Sequence, residues 1–140
     1  MNTRLIPILA AATLAAGCGL TGTASTEPPA QSGHLRIDGR SQTTQSVLCT
    51  QNGWLLTIDA RGNQGRAQAF VELGGERPVV TAVTMQGIED HHGVADSTNG
   101  DAVATVTDGD VYTITGTVVG SDGTTPGQSR PMPFEIKAPC

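Results

Sequence analysis

The segment Val111-Tyr112-Thr113-Ile114-Thr115-Gly116-Thr117-Val118 decides the fold class of this 140-residue chain. In an extended chain, one face would carry Tyr112, Ile114, Gly116 and Val118, and the other face would carry mainly threonines. Such alternation is typical of a strand with one buried and one solvated face. Asp108-Gly109 stands just before the segment, and an Asp-Gly pair readily accepts the positive φ of a hairpin turn. The segment therefore predicts the second strand of an antiparallel hairpin.

Similar short runs, separated by turn dipeptides such as Asn52-Gly53, recur from residue 34 to residue 140. The candidate strands are His34–Asp38, Ser46–Thr50, Trp54–Ala60, Arg66–Leu73, Val79–Met85, Ala102–Thr107, Val111–Val119 and Pro133–Lys137. No stretch carries an apolar stripe at helical spacing, so we expect an all-β domain, either a small antiparallel β-sandwich or a curved sheet. Its core should hold all four aromatic residues, namely Trp54, Phe70, Tyr112 and Phe134.

The amino-terminal segment, 1–17, is predicted to be an export signal. Arg4 precedes an apolar run, Leu5–Ala16, that is too short for a permanent membrane span, which needs about 20 residues. The run ends in Leu14-Ala15-Ala16-Gly17-Cys18, which resembles the bacterial lipobox, where a cysteine is lipidated and the chain is cleaved before it. An ordinary signal peptide with a chance cysteine, or an uncleaved helix, is the alternative.

Lipidation at Cys18 would attach the protein to the membrane through acyl chains. One chain holds a protein marginally and two hold it stably, so a diacylglyceryl group on Cys18 would suffice. Cleavage would remove Arg4 and leave seven basic against thirteen acidic residues, a net charge of −6 that anionic lipid would not attract. Residues 18–33 form the lipidated cysteine and a flexible linker rich in Thr, Ser and Pro, which reaches roughly 20 Å.

The other two cysteines, Cys49 and Cys140, are predicted to form a disulfide in the oxidising environment outside the cytoplasm. Two buried thiols or a zinc pair are the alternatives. Zinc usually needs four closely spaced ligands, and the sequence has neither CxxC nor HxxxH.

Several function classes find little support in the sequence. A net charge of −5 argues against binding nucleic acid, which requires a basic face. GxSxG and phosphate-loop motifs are absent, so we expect no enzyme, no catalytic residues and no cofactor. The segment Glu89–Asp96 contains His91 and His92 and is the best candidate for a metal site. Adjacent histidines in an extended chain point to opposite sides, however, so we expect a solvated loop and no metal.

Taken together, these segments resemble the mycobacterial LpqH family, also called the 19 kDa lipoprotein antigen family. The resemblance covers nearly the whole chain and rests on the order of its pieces. These are Gly17-Cys18, the linker, Ile37-Asp38-Gly39, Val47-Leu48-Cys49-Thr50, the hairpin segment 108–117, Phe134-Glu135-Ile136 and Cys140. The middle stretch, residues 86–99, matches least.

The resemblance implies a cell-envelope lipoprotein that is exported, anchored on the extracytoplasmic face of the cell membrane and displayed as an antigen. It also implies lipidation of Cys18, a bridge between Cys49 and Cys140, and recognition of the acylated amino terminus by host receptors of the Toll-like class. No catalytic residue is carried over, and we expect a monomer. The alternative is an envelope carrier of a small apolar or lipid ligand, which would need an internal apolar cavity of roughly 300 Å³.

Overall fold

The computed structural model of the protein describes residues 32–107, 109–125 and 127–140. The predicted signal peptide (1–17) and the linker as far as residue 31 lie outside the described residues and stay predictions. The described part contains strands and turns and no helix. The ten strands are β1 (His34–Ile37), β2 (Arg40–Thr43), β3 (Ser46–Asn52), β4 (Leu55–Arg61), β5 (Arg66–Glu72), β6 (Val79–Ile88), β7 (His91–Ala95), β8 (Asp101–Thr107), β9 (Val111–Ser121) and β10 (Arg130–Pro139).

All ten strands belong to one antiparallel sheet in the order β2-β1-β10-β9-β7-β6-β5-β4-β3, with β8 paired to β9 beside this path. The two outermost strands, β2 and β3, are consecutive in the chain and are joined by only Thr44 and Gln45. The backbone N–H of Thr44 donates to Gly33 O at 3.0 Å, and that of Gln45 donates to Arg61 O at 2.7 Å. Because so short a link joins opposite edges, the sheet must curl. The curved-sheet form of the all-β prediction is therefore confirmed.

Strand β9, which contains the segment quoted at the outset, is an interior strand that pairs with three others. It pairs with β10 along one edge, and its other edge is shared by β8 and β7. The predicted hairpin is confirmed, since β8 and β9 pair from Asp101↔Thr117 to Thr107↔Val111. Asp108 itself lies outside the described residues.

The core fills the inner face of the curl. Leu35, Ile114 and Met85, from three separate strands, are completely buried there. The alternation predicted for β9 is confirmed, since Ile114 and Val118 face the core and Thr115 is exposed. A single buried face explains why most strands read as alternating apolar and polar residues.

The prediction that all four aromatic residues lie in the core is wrong for two of them. Phe134 is buried, and Tyr112 is partly buried against the core. Phe70 alternates with the inward residues of β5 and lies half-buried on the outer face. Trp54 is 71% exposed, because Gly53 (φ +62°) and Trp54 form the two-residue turn between β3 and β4, and β4 begins only at Leu55.

The prediction of a solvated loop at Glu89–Asp96 is also wrong. Residues His91–Ala95 form β7, which pairs with both β6 and β9. Glu89 and Asp90 make the preceding two-residue turn with φ values of +48° and +66°, which residues other than glycine, asparagine and aspartate seldom adopt. The inward positions of β7 are His91, Gly93 and Ala95, so the strand lacks the large apolar residues that would reveal it in the sequence.

Candidate functional site

The first feature of interest is the disulfide bond. Cys49, on edge strand β3, is bonded to Cys140, which follows β10, with a Cα–Cα distance of 5.7 Å. The bond closes a loop of 91 residues between strands that are not neighbours in the sheet. Cys140 also donates its backbone N–H to Asp110 O at 2.9 Å. The two cysteines therefore hold the curl closed, rather than acting as free thiols or zinc ligands. Cys18 lies outside the described residues.

The chain enters and leaves the sheet at one end, which we call the tether end. His34, at the start of β1, pairs with Lys137 near the end of β10. Gly33 approaches so closely that a Cβ placed on it would lie 2.0 Å from Lys137 O and 3.1 Å from Pro139 Cδ. A linker from Cys18 therefore has to reach the domain at this end.

An ionic cluster occupies the opposite end of the sheet. The Arg130 guanidinium donates to the carboxylates of Asp38, in the β1–β2 turn, and Asp122, after β9, with a distance of 2.9 Å between Arg130 Nη2 and Asp122 Oδ2. The Thr124 hydroxyl and backbone N–H both donate to Asp122 Oδ1, at 2.6 and 2.9 Å. These bonds, from Thr124 first and then from Arg130, hold the pKa of Asp122 far below its ordinary value. The bond from Arg130 likewise lowers the pKa of Asp38.

His91 lies beneath this cluster and is nearly buried. Its Nδ1 is 2.8 Å from the carbonyl oxygen of Glu89, and its Nε2 is 3.4 Å from Asp38 Oδ2. Both partners accept hydrogen bonds, and neither is a hydroxyl or thiol that could serve as a nucleophile. The histidine thus joins the β6–β7 turn to the β1–β2 turn, which is a structural role.

The histidines of the segment Glu89–Asp96 do not converge on a common point. His91 points inward and His92 outward, as expected for neighbours in a strand. Asp96 instead accepts the backbone N–H groups of Thr98 and Asn99, both at 2.8 Å, within its own turn. Across the described ranges, no three side chains of His, Cys, Asp or Glu lie together as metal ligands would.

The ionic cluster predicts an acid-sensitive stability. Because the folded-state pKa values of Asp38 and Asp122 lie below the ordinary value of 3.8, the unfolded chain binds more protons near that pH. Their contribution should be complete above about pH 5 and should fall as the pH drops below 4. The urea midpoint of wild type should therefore decrease from pH 6 to pH 3, and Arg130→Gln should reduce this decrease.

Arg36→Gln, a change at an exposed arginine outside the cluster, is the control and should keep the wild-type slope. Parallel pH profiles for wild type and Arg130→Gln would contradict the assignment.

An apolar groove lies at the tip of the β3–β4 hairpin. It was not predicted from the sequence, because the alternation of apolar residues after Gly53 predicts that Trp54 faces the core. We call it the Trp54 groove. It has a volume of about 560 Å³ and is lined by Asn52, Trp54, Leu55, Glu72, Gly74, Gly75 and Val79. The Trp54 ring lies over Gly74, where an added Cβ would come within 3.4 Å of the ring. Exposure of Trp54 (71%), Val79 (54%) and Leu55 (39%) makes this an apolar surface in contact with water.

The described part of the chain has no helix that is both long and apolar enough to cross a membrane.

Comparison with known proteins places these features in a family. "Probable lipoprotein LppE" of Mycobacterium tuberculosis (strain ATCC 25618 / H37Rv) is 29% identical over 146 residues, and the alignment covers all of both chains. A "Putative lipoprotein" of Mycobacterium avium subsp. hominissuis (strain TH135) is 26% identical over 140 residues, covering 99% of this chain and 94% of the relative. The model of the family described as "Mycobacterium 19 kDa lipoprotein antigen" matches residues 26–140. The chain therefore belongs to the Mycobacterium 19 kDa lipoprotein antigen family, as the resemblance of its segments predicted.

Proposed function

We propose that the protein is a lipid-anchored envelope lipoprotein, attached through acyl chains on Cys18, that displays its β domain on the extracytoplasmic face without catalysing a reaction. The observation that carries the proposal is the use of the cysteines. The disulfide takes Cys49 and Cys140, so Cys18 is the one cysteine outside it, and only Gly17 separates it from the apolar run of residues 5–16. The relatives, both named as lipoproteins, align with nearly the whole chain, which supports the same reading.

An acyl anchor is needed because the charge of the domain would not hold it at a membrane. Cleavage before Cys18 would leave a net charge of −6, so attraction to anionic lipids would not contribute. Two or more acyl chains suffice for stable attachment. The acylated cysteine is also the chemical group that a host receptor for bacterial lipoproteins would bind, so the antigen role rests on the same residue. One domain with one anchor acts as a monomer in this proposal.

The core argues against the alternative of an apolar-ligand carrier. A carrier needs room between the inward side chains, whereas Ile58, Met85 and Ile114 are at most 1% exposed and fill the inner face. The Trp54 groove lies outside this core, at the surface. A lipid held inside the curl would have to displace packed side chains.

Metabolic labelling tests the anchor directly. Wild-type protein, expressed in a mycobacterial host supplied with labelled palmitate, should carry the label and sediment with membranes. Cys18→Ala should lose the label, because the thiol that accepts the diacylglyceryl group is absent. Cys49→Ser/Cys140→Ser is the matched control and should stay labelled. Label that persists in Cys18→Ala would overturn the proposal.

A further inference from the structure

We propose that the Trp54 groove docks on the lipid surface that holds the acyl anchor, with the β3–β4 hairpin tip inserted at the level of the headgroups. This inference rests on the proposed anchor at Cys18, and it adds an orientation. The domain would rest on the bilayer with its tether end down.

The strand directions place the hairpin tip at the tether end. Six antiparallel pairings separate β10 from β3 in the sheet, so these two strands run in the same direction. Because of the disulfide, Cys49 of β3 lies at about the same height along the strand direction as Cys140, the residue that follows β10. Strand β3 then continues three residues to Asn52 before the Gly53-Trp54 turn. At about 3.3 Å per residue, the tip projects roughly 10 Å beyond the end of β10.

The tether reaches the domain at the same end. Gly33 lies against Lys137 and Pro139, and β1 runs away from that point, antiparallel to β10. Cys18 precedes Ser32 by fourteen residues. Even a fully extended linker would therefore place the acylated Cys18 no more than about 50 Å from Ser32, at the tether end of the domain. Because the flexible linker typically reaches only roughly 20 Å, the bilayer lies nearest the end of the domain from which Trp54 projects.

The side chains at the tip suit a lipid interface. Tryptophan prefers the boundary between headgroups and acyl chains, because its ring is apolar and its N–H needs a polar partner. Leu55 and Val79 extend the apolar surface beside it. Glu72 also lines the groove, and the mature charge of −6 would not favour anionic lipid, so the docking should depend on apolar contact.

Tethering makes such a small apolar tip sufficient. One exposed tryptophan with two aliphatic neighbours would bind a membrane weakly from solution. When the acyl chains already hold the protein on the bilayer, insertion of the tip becomes an intramolecular step with a high effective concentration. The same tip can therefore orient a tethered domain without recruiting an untethered one.

Fluorescence provides a direct test, since Trp54 is the single tryptophan of the chain. The acylated protein is reconstituted into phosphatidylcholine vesicles, with and without lipids brominated near the top of the acyl chains. We expect a blue-shifted emission, loss of most of the intensity with the brominated lipid, and reduced quenching by iodide from the aqueous phase. A matched reporter, Trp54→Phe/Gln128→Trp, places the indole in the exposed β9–β10 loop at the opposite end. Its emission should be unaffected by the brominated lipid.

Flotation of the same vesicles separates the two claims. Protein that floats with the lipid while Trp54 stays unquenched would overturn the docking and leave the anchor intact. Protein that does not float would overturn the anchor and the docking with it. A blue shift that grows with the surface density of protein, without quenching by brominated lipid, would assign the groove to a second copy of the chain and also overturn the proposal.

Discussion

Replacing Cys49 and Cys140 together by serine should lower the free energy of unfolding by about 3 kcal/mol, within the range for a native disulfide that closes a long loop. The bond spans 91 residues and joins edge strand β3 to the segment after β10. Without it, the curl is held by the Thr44-Gln45 link, by side-chain packing and by a few polar contacts, such as the bond from the Gly65 N–H to Gln42 Oε1 of β2. For a domain of this size the change corresponds to a fall in Tm of roughly 15 °C.

Calorimetry of wild type and Cys49→Ser/Cys140→Ser measures the effect. Adding a thiol reductant to the wild type should produce the same fall, and it should leave the double variant unchanged. A variant that unfolds at the wild-type temperature would show that the bond contributes little to closure.

Gly120→Ala should destabilise the domain by about 3 kcal/mol, at the upper end of the usual cost of overpacking. Gly120 of β9 pairs with Gly93 of β7, and a Cβ at position 120 would lie 1.9 Å from the carbonyl oxygen of His92. The atom in the way belongs to the backbone, so the clash cannot be relieved by a change of rotamer. The two strands would have to separate where β7 joins β9.

Chemical denaturation of Gly120→Ala tests this approach of the two strands. Gly75→Ala is the matched control, because the nearest atom to its added Cβ would be Arg77 O at 3.8 Å. It should unfold within about 0.5 kcal/mol of the wild type. Equal stability of the two alanine variants would contradict the close pairing of β7 with β9.

Alternating sequence predicts the part of the fold in which one face of a strand is apolar. Ile114 and Val118 in β9, and Leu56 and Ile58 in β4, alternate with polar or exposed residues and lie on the buried face as expected. Strand β7 escapes prediction because its inward residues carry little apolar surface. Strand β2, Arg40–Thr43, escapes it because it is short, polar and at the edge of the sheet.

The sequence could not predict which side chains come together at the two ends of the domain. Asp38 and Arg130 are 92 residues apart in the chain, and neither their pairing nor the geometry of the turns that bring them together has a local signature. The pattern misplaces Trp54 because a one-residue difference in the start of β4 moves a side chain from the core into the turn. The cysteine pairing was predictable because the chain has three cysteines, and the expectation that Cys18 is lipidated leaves a single pair.

Intact-mass and peptide mass spectrometry of the native protein tests the central claim most directly. We expect a polypeptide that lacks the segment 1–17, begins at a Cys18 bearing a diacylglyceryl group, and yields a linked peptide containing Cys49 and Cys140. A polypeptide that retains this segment with an unmodified Cys18, or a disulfide that includes Cys18, would contradict the account.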